Sequence, residues 1–226
     1  MKRYSRNMIT LSPDENQRLQ TFKVCVIGCG GLGGYVVEML GRLGIGTITA
    51  VDGDVFDESN LNRQILSNMN SLGESKALQA KERMALVNPL ITVNAIPERF
   101  TEENGKTILE YNDVVVDALD SISSRILLER MAGELGIPLV HGAIAGWYGQ
   151  VSTIFPGDNT FSKIYPDPTV NGMEKELGNP SFTPALVASI QVSEVLKILI
   201  GRGEILRRKL LYLNLLDHEY EIIELY

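Results

Sequence analysis

Short apolar runs alternate with helical patterns along the first two thirds of this 226-residue chain. Lys23–Ile27 (KVCVI) reads as a buried strand. Leu32, Tyr35, Val36, Met39, Leu40 and Leu43 then recur at i, i+3, i+4, i+7, i+8 and i+11, one face of a helix. Further strands are predicted at Thr47–Val51, Thr92–Ile96 and residues 113–117, and a fifth begins at 138–140. Helices are predicted over 75–87, with Ala77, Ala80, Met84 and Val87 on one face, and over 121–135. The pattern breaks after Ile154. Residues 157–183 are rich in Pro, Gly and Asn and show no period, which marks a long functional or mobile loop. An apolar helix over 184–200 and two strands, 209–213 and 219–225, close the chain.

Strands alternating with helices predict an α/β protein with helices on both faces of the sheet. The fold class expected is a Rossmann-like, doubly wound, mainly parallel sheet extended by C-terminal antiparallel strands. Near-continuous Val/Ile strands agree, because parallel strands are covered on both sides. One domain over 1–226 is expected, with an N-terminal arm and helix over 1–22 and a crossover loop over 157–183. In such sheets, ligands bind beyond the carboxyl ends of the strands.

Composition narrows the classes. Lys plus Arg is 21 and Asp plus Glu is 28, a formal net charge of −7, which argues against a general nucleic-acid binder. Two cysteines, Cys25 and Cys29, exclude a disulfide framework and an all-cysteine zinc site within one chain. Residues 1–12 lack the apolar core of a signal peptide. The stretch 184–200 carries Gln191, Glu194 and Lys197, too polar to read as a membrane span. A cytoplasmic protein is expected.

Gly28-Cys29-Gly30-Gly31-Leu32-Gly33 fits G-x-G-x-x-G, follows a strand and opens a helix, the context that gives the motif meaning. Gly28, Gly30, Gly31 and Gly33 would let phosphate approach backbone N–H groups at a helix N-terminus. Asp52, about 20 residues further on at the end of the second strand, would accept hydrogen bonds from a ribose. The motif does not separate ATP from a dinucleotide. Polar residues after the strands favour ATP, which needs cations for its phosphates and a carboxylate for Mg²⁺. Arg63 and Lys76 are the candidate cations and Asp120 the candidate metal ligand. Each has a plainer reading: a solvated loop arginine, an exposed first-turn lysine, the N-cap of the helix starting at Ser121. His141 reads as a packed residue at a strand end.

The ordered motifs resemble the ThiF/MoeB/HesA adenylyltransferases, relatives of ubiquitin-activating enzymes, over nearly the whole chain. Arg3-Tyr4-Ser5-Arg6-Asn7 resembles R-Y-x-R-Q, and Val51-Asp52-Gly53-Asp54 resembles the family's second-strand end. Ser59-Asn60-Leu61-Asn62-Arg63-Gln64 matches S-N-L-x-R-Q, Gly73 to Lys76 matches G-x-x-K, and Asp117 to Asp120 matches D-x-x-D. The resemblance implies ATP-dependent adenylylation of the C-terminal glycine of a small ubiquitin-like sulfur-carrier protein ending in Gly-Gly, releasing pyrophosphate. It also implies a homodimer. It assigns Asp52, Asp54, Asn60, Arg63, Gln64 and Lys76 to the nucleotide, Asp120 to Mg²⁺, and Arg6 to the partner subunit's site.

The chain departs from the family in three places. The C-x-x-C pair that many relatives use for zinc should fall at 160–163, which reads Thr-Phe-Ser-Lys, and the second pair would follow the last strand. No cysteine stands in 171–182, where some relatives carry one that bonds to the carrier. A zinc-free enzyme without a catalytic cysteine is therefore expected. Ser121 replaces the family's asparagine after Asp120, which is similar to tRNA threonylcarbamoyladenosine dehydratases. That branch, with modified tRNA as substrate, is the alternative. An NAD-dependent oxidoreductase rests on the glycine loop and Asp52 alone.

Overall fold

Alternation of side chains across each strand explains how one run of valines serves two cores. A computed structural model of the chain describes residues 2–167 and 173–226. Among these residues the strands are β1 (Lys23–Ile27), β2 (Thr47–Val51), β3 (Thr92–Ile96), β4 (Val114–Asp117), β5 (Leu139–Ala145), β6 (Tyr148–Ile154), β7 (Lys209–Asn214) and β8 (Glu219–Glu224). The α-helices are α1 (Pro13–Arg18), α2 (Gly31–Leu43), α3 (Lys76–Val87), α4 (Gly105–Leu109), α5 (Ile122–Glu134), α6 (Phe161–Ile164), α7 (Glu174–Leu177) and α8 (Phe182–Ile200).

They form one sheet in the order β3-β2-β1-β4-β5-β6-β7-β8. β3, β2, β1, β4 and β5 are mutually parallel. β6, β7 and β8 continue antiparallel. This is the expected fold class. Strand order reverses between β1 and β4, so the carboxyl ends of those strands frame the switch-point crevice.

Val24, Val26, Val114 and Val116 belong to the core on one face, with Val36 and Leu40 of α2, Ala80 and Met84 of α3, and Val187 and Val195 of α8. Cys25, Ile27 and Val115 belong to the other, with Leu109 of α4, Leu128 and Met131 of α5, and Phe161 of α6. Each Val, Leu, Ile, Met or Phe side chain among them contributes about 1.5–3 kcal/mol on burial. α8 is apolar and 19 residues long, enough to cross a membrane by length and composition. Half of it is buried in the fold, where Val187, Ala188, Gln191 and Val195 are covered. It packs beside α2 and covers β4, β5 and β6.

The N-terminal arm docks on the helix ends furthest from the switch point. Tyr4 is buried, and its hydroxyl accepts a hydrogen bond from Asn88 Nδ2 at 2.8 Å. Arg3 Nη1 donates to Val87 O at 2.6 Å, at the end of α3, and Asn7 Nδ2 donates to Leu43 O at 3.3 Å, at the end of α2.

The loop expected over 157–183 contains α6, α7 and the start of α8; residues 168–172 of that range lie outside the described residues. α6 escapes periodicity because it is one turn long and is held from outside. The Glu129 carboxylate on α5 accepts from the Thr160 N–H at 2.6 Å and the Phe161 N–H at 3.1 Å. That cap pairs residues about 30 positions apart and leaves no local signature. β6 and α4 were likewise not separable from their neighbours, since short elements carry too few periods.

Candidate nucleotide-binding site

The glycine turn closes β1 onto α2. Gly28 has φ of +97°, and a Cβ there would lie 2.5 Å from Ala118 O, the residue after β4. A Cβ on Gly33 would lie 1.8 Å from Gly28 O. No side chain fits either position. Gly30 and Gly31 differ. Their added Cβ atoms would meet Gln64 Nε2 and Arg63 Cγ at an ordinary 3.6 Å. These two glycines thus form a floor beneath Arg63 and Gln64.

Above that floor lies a cleft of about 620 Å³. Its lining includes Gly28, Gly30, Gly31, Asp52, Asp54, Asn60, Arg63, Gln64, Lys76 and Asp120. Of the residues singled out from the sequence, only Gly33 and Arg6 are missing from the wall. Gly33 instead lets α2 approach the turn. Arg6 is exposed on the N-terminal arm.

Asp52 ties the turn to the end of β2. Its Oδ2 accepts from the Cys29 N–H at 2.7 Å and its Oδ1 from the Asp54 N–H at 2.8 Å. Each oxygen keeps a second lone pair for a ligand. Burial raises its pKa, opposed by those two N–H bonds and by Lys76. The segment after β2 folds back through a short turn. Asn60 closes it, its Oδ1 accepting from the Asp57 N–H at 3.1 Å. Arg63 Nη1 donates to Ser59 O and Asn62 Oδ1, both at 2.9 Å.

Lys76 opens α3 and is only 8% exposed, so it is not a solvated first-turn lysine. Its Nζ lies 3.7 Å from Asp54 Oδ2, and Arg99 Nη2 lies 3.1 Å from Asp54 Oδ1. The cap of α5 belongs to Ser121, whose Oγ accepts from the Ser124 N–H at 3.2 Å. Asp120 is therefore not the cap. It is exposed at the cleft and makes no side-chain hydrogen bond or ion pair among the described residues.

Buried polar atoms almost always have partners. Two in this wall do not, among the described residues: Gln64 Oε1 and Asn179 Oδ1. Both lie in the cleft lining, as acceptors suited to the N–H groups of a ligand. The described residues contain no cluster of three or more His, Cys, Asp or Glu side chains fit to hold a metal. A single carboxylate at Asp120 suits Mg²⁺, which is commonly held by one or two carboxylates together with substrate phosphates.

Among the lining residues that escaped the sequence reading are Arg99, Phe100, Arg125 and Asn179. Arg99 and Phe100 follow the end of β3, where the rule of polar residues after strands would have found the arginine. Arg125 follows Asp120 by one helical turn. Asn179 was submerged in the aperiodic segment. His141 is packed, as expected, with its ring edge-on to Phe161 at 4.8 Å between centroids. Its pKa is lowered by burial, against the raising effect of Asp117.

A family model described as "ThiF family" matches residues 4–225. The sulfur carrier protein adenylyltransferase of Thermus thermophilus is 37% identical, over 97% of this chain and 85% of that protein. The SAMP-activating enzyme E1 of Haloferax volcanii is 33% identical, over 99% of this chain and 84% of its own length. Among solved structures, E. coli MccB with ATP superposes with a TM-score of 0.85 at 21% identity, over 99% of this chain and 70% of MccB; that likeness concerns the fold. Fold and cleft define a nucleotide-handling α/β enzyme, and its class is adenylyltransferase. The chain belongs to the ThiF family.

Proposed function

We propose that the chain uses ATP to adenylylate the C-terminal glycine carboxylate of a small ubiquitin-like sulfur carrier. The observation that carries this reading is the cleft's chemistry. Arg63 and Lys76 line it with Asp120, and no histidine lines it among the described residues. A carboxylate is already ionised at pH 7, so the nucleophile needs no general base. The task left to the protein is to bring two anions together and offset their charge. A carboxylate oxygen attacks the α-phosphorus, the bond to the bridging oxygen of the β-phosphate breaks, and pyrophosphate leaves.

Asp52 binds the ribose in this reading, Gly30 and Gly31 admit the phosphates, and Arg63 and Lys76 hold them. Asp54 and Asn60 shape the segment that carries Arg63. Gln64 offers its unpaired carbonyl oxygen. Asp120 would hold Mg²⁺, which when bound supplies charge stabilisation to the leaving pyrophosphate. Arg6 serves a second copy. The arm carrying it docks at the far ends of α2 and α3, so a homodimer is the arrangement that gives it a cleft to enter.

Zinc and a catalytic cysteine have no part in the reading. Cys25 and Cys29 are fully buried, and burial pushes both thiols upward in pKa. Thiols of that kind are inert. The setting is the cytoplasm, where ATP is available.

ATP–pyrophosphate exchange tests the proposal, using Gly-Gly-ended carriers from the same genome. Carrier-dependent exchange is the expected result. ATP hydrolysis that depends on modified tRNA would move the substrate to the tRNA branch. Binding of NADH without ATP would overturn the whole reading.

A further inference from the structure

We propose that Asn179 recognises the acceptor's last peptide bond, its side-chain carbonyl oxygen accepting from the N–H of the C-terminal glycine; this rests on the adenylylation reading above. Asn179 lines the cleft, and its Oδ1 is buried with no hydrogen-bond partner among the described residues. Leaving a buried acceptor unpaired is costly, so the atom is suited to a donor that arrives with a ligand. The order of the strands decides which donor that is.

Asp52 follows β2, the glycine turn follows β1, Asp120 follows β4, and the lining residues Ala143 and Ile144 lie on β5. Those strands are neighbours in that order across the sheet. A nucleotide with its ribose at Asp52 and its phosphates at the glycine turn therefore turns its phosphate end toward β4 and β5, and its base toward β3. Asn179 stands on the β5 side, since the Gly146 N–H, in the turn after β5, donates to the adjoining Gly178 O at 2.7 Å. Phosphate oxygens at that end only accept, and offer nothing to a carbonyl oxygen. The group that brings an N–H to the α-phosphorus is the acceptor. Its attacking carboxylate and its last peptide N–H belong to one residue, so the N–H arrives with the carboxylate.

The backbone around Asn179 is fixed from both sides. Asn62 Nδ2 donates to Asn179 O at 3.3 Å, which ties it to the residue beside Arg63. Toward the sheet, Thr183 Oγ1 donates to Gly146 O at 2.6 Å in a buried bond, and the Trp147 and Phe182 rings meet with centroids 4.6 Å apart. Leu177 lies against the same turn, where a Cβ on Gly146 would come within 3.1 Å of Leu177 Cβ. Residues 177–183 thus form a strap between the segment that carries Arg63 and the turn joining β5 to β6. These contacts hold the strap and leave the Asn179 side-chain oxygen to the acceptor.

The test changes one atom of the ligand. The full chain, loaded with a non-hydrolysable ATP analogue, is titrated with a synthetic peptide ending in Gly-Gly and with its depsipeptide, in which an ester oxygen replaces the last N–H. The wild type is expected to prefer the amide by about tenfold, or about 1.4 kcal/mol, because the ester leaves Asn179 Oδ1 unpaired. Asn179→Ala weakens amide binding by about tenfold and changes ester binding by less than about threefold, so the preference disappears. Asn179→Asp keeps an accepting oxygen and retains the preference, although its charge weakens both peptides. Affinity for the ATP analogue changes by less than about threefold in Asn179→Ala, and thermal melts check that both variants are folded. Equal binding of amide and ester by the wild type, a preference that survives Asn179→Ala, equal losses on both peptides in that variant, a preference lost in Asn179→Asp, or binding of neither peptide would overturn the proposal. Failure of the wild type to bind the ATP analogue, or to catalyse exchange while still preferring the amide, would sink the adenylylation reading instead.

Discussion

Between Gly28 and Lys76, one wall of the cleft is built from motifs whose members are neighbours in sequence: a glycine turn, the end of β2, a folded-back segment and the first residue of α3. The other wall includes Arg125 of α5, and behind it stand His141, Gln150 and Tyr165, from β5, β6 and the end of α6. In the first wall the backbone does most of the shaping, through Gly28, Gly33 and the two N–H bonds to Asp52. In the second the work is done by side chains that meet only after the sheet is assembled. Local motifs can be recognised one at a time. A tertiary network is visible only as a whole, and its residues look ordinary taken singly.

The sharpest break between the two walls comes from the glycines. Gly33→Ala drives a Cβ into Gly28 O and should cost about 3 kcal/mol or more in urea unfolding, the range of severe overpacking and backbone strain. Gly31→Ala meets only ordinary contact and gains helix propensity, so its stability should stay within about 1 kcal/mol of the wild type. Equal losses at both positions would mean that the turn is not steric in origin.

Next come the charged residues of the first wall. Lys76→Ala and Asp120→Ala should each lower carrier-dependent exchange by about 100-fold, the usual scale for removing one stabiliser of developing charge. Both variants should melt near the wild-type temperature. Unchanged exchange would leave the cleft as a binding surface without catalysis.

The buried network behind the second wall should reveal itself through pH. Burial lowers the His141 pKa, so below the ordinary imidazole value the unfolded chain takes up a proton that the folded chain resists. Wild-type stability should therefore carry a loss of up to about 1.4 kcal/mol per pH unit as pH falls from about 6.5 toward the depressed value. Glu129 and Asp52, whose pKa values burial raises, contribute with the opposite sign. His141→Asn isolates the term: the wild-type loss minus the variant loss is the histidine's share. Parallel pH profiles would show that His141 is protonated as easily folded as unfolded.

The smallest effect belongs to the solvent-facing rim. Arg99 pairs with Asp54, but both side chains are more than half exposed. Arg99→Ala should change stability by less than about 1 kcal/mol in chemical unfolding, because exposed pairs contribute little. A larger loss would mean that Arg99 packs against Gly53 as well as pairing, since a Cβ there would lie 2.6 Å from Arg99 Cγ.

Much of the fold was legible in the chain. β1, β2 and β3 fall where apolar runs predict them, and α2 and α3 where the 3.6-residue period does. The candidate site was legible where a residue type, a position after a strand and a neighbouring motif coincided, as at Asp52, Arg63 and Lys76. It was illegible at Arg125, which lacked a motif of its own, and at Asn179, which lay in an aperiodic stretch.

By itself the sequence determined the strand–helix alternation, the glycine turn and the nucleotide end of the cleft, because each depends on residues within a few turns of one another. The tertiary structure decided which plain readings failed. It buried Lys76, passed the α5 cap from Asp120 to Ser121, and set a packed histidine between Asp117 and Gln150. It also helically ordered part of what reads as loop, because the carboxylate that caps α6 stands on α5. Those outcomes depend on contacts between distant segments, and no local pattern records them.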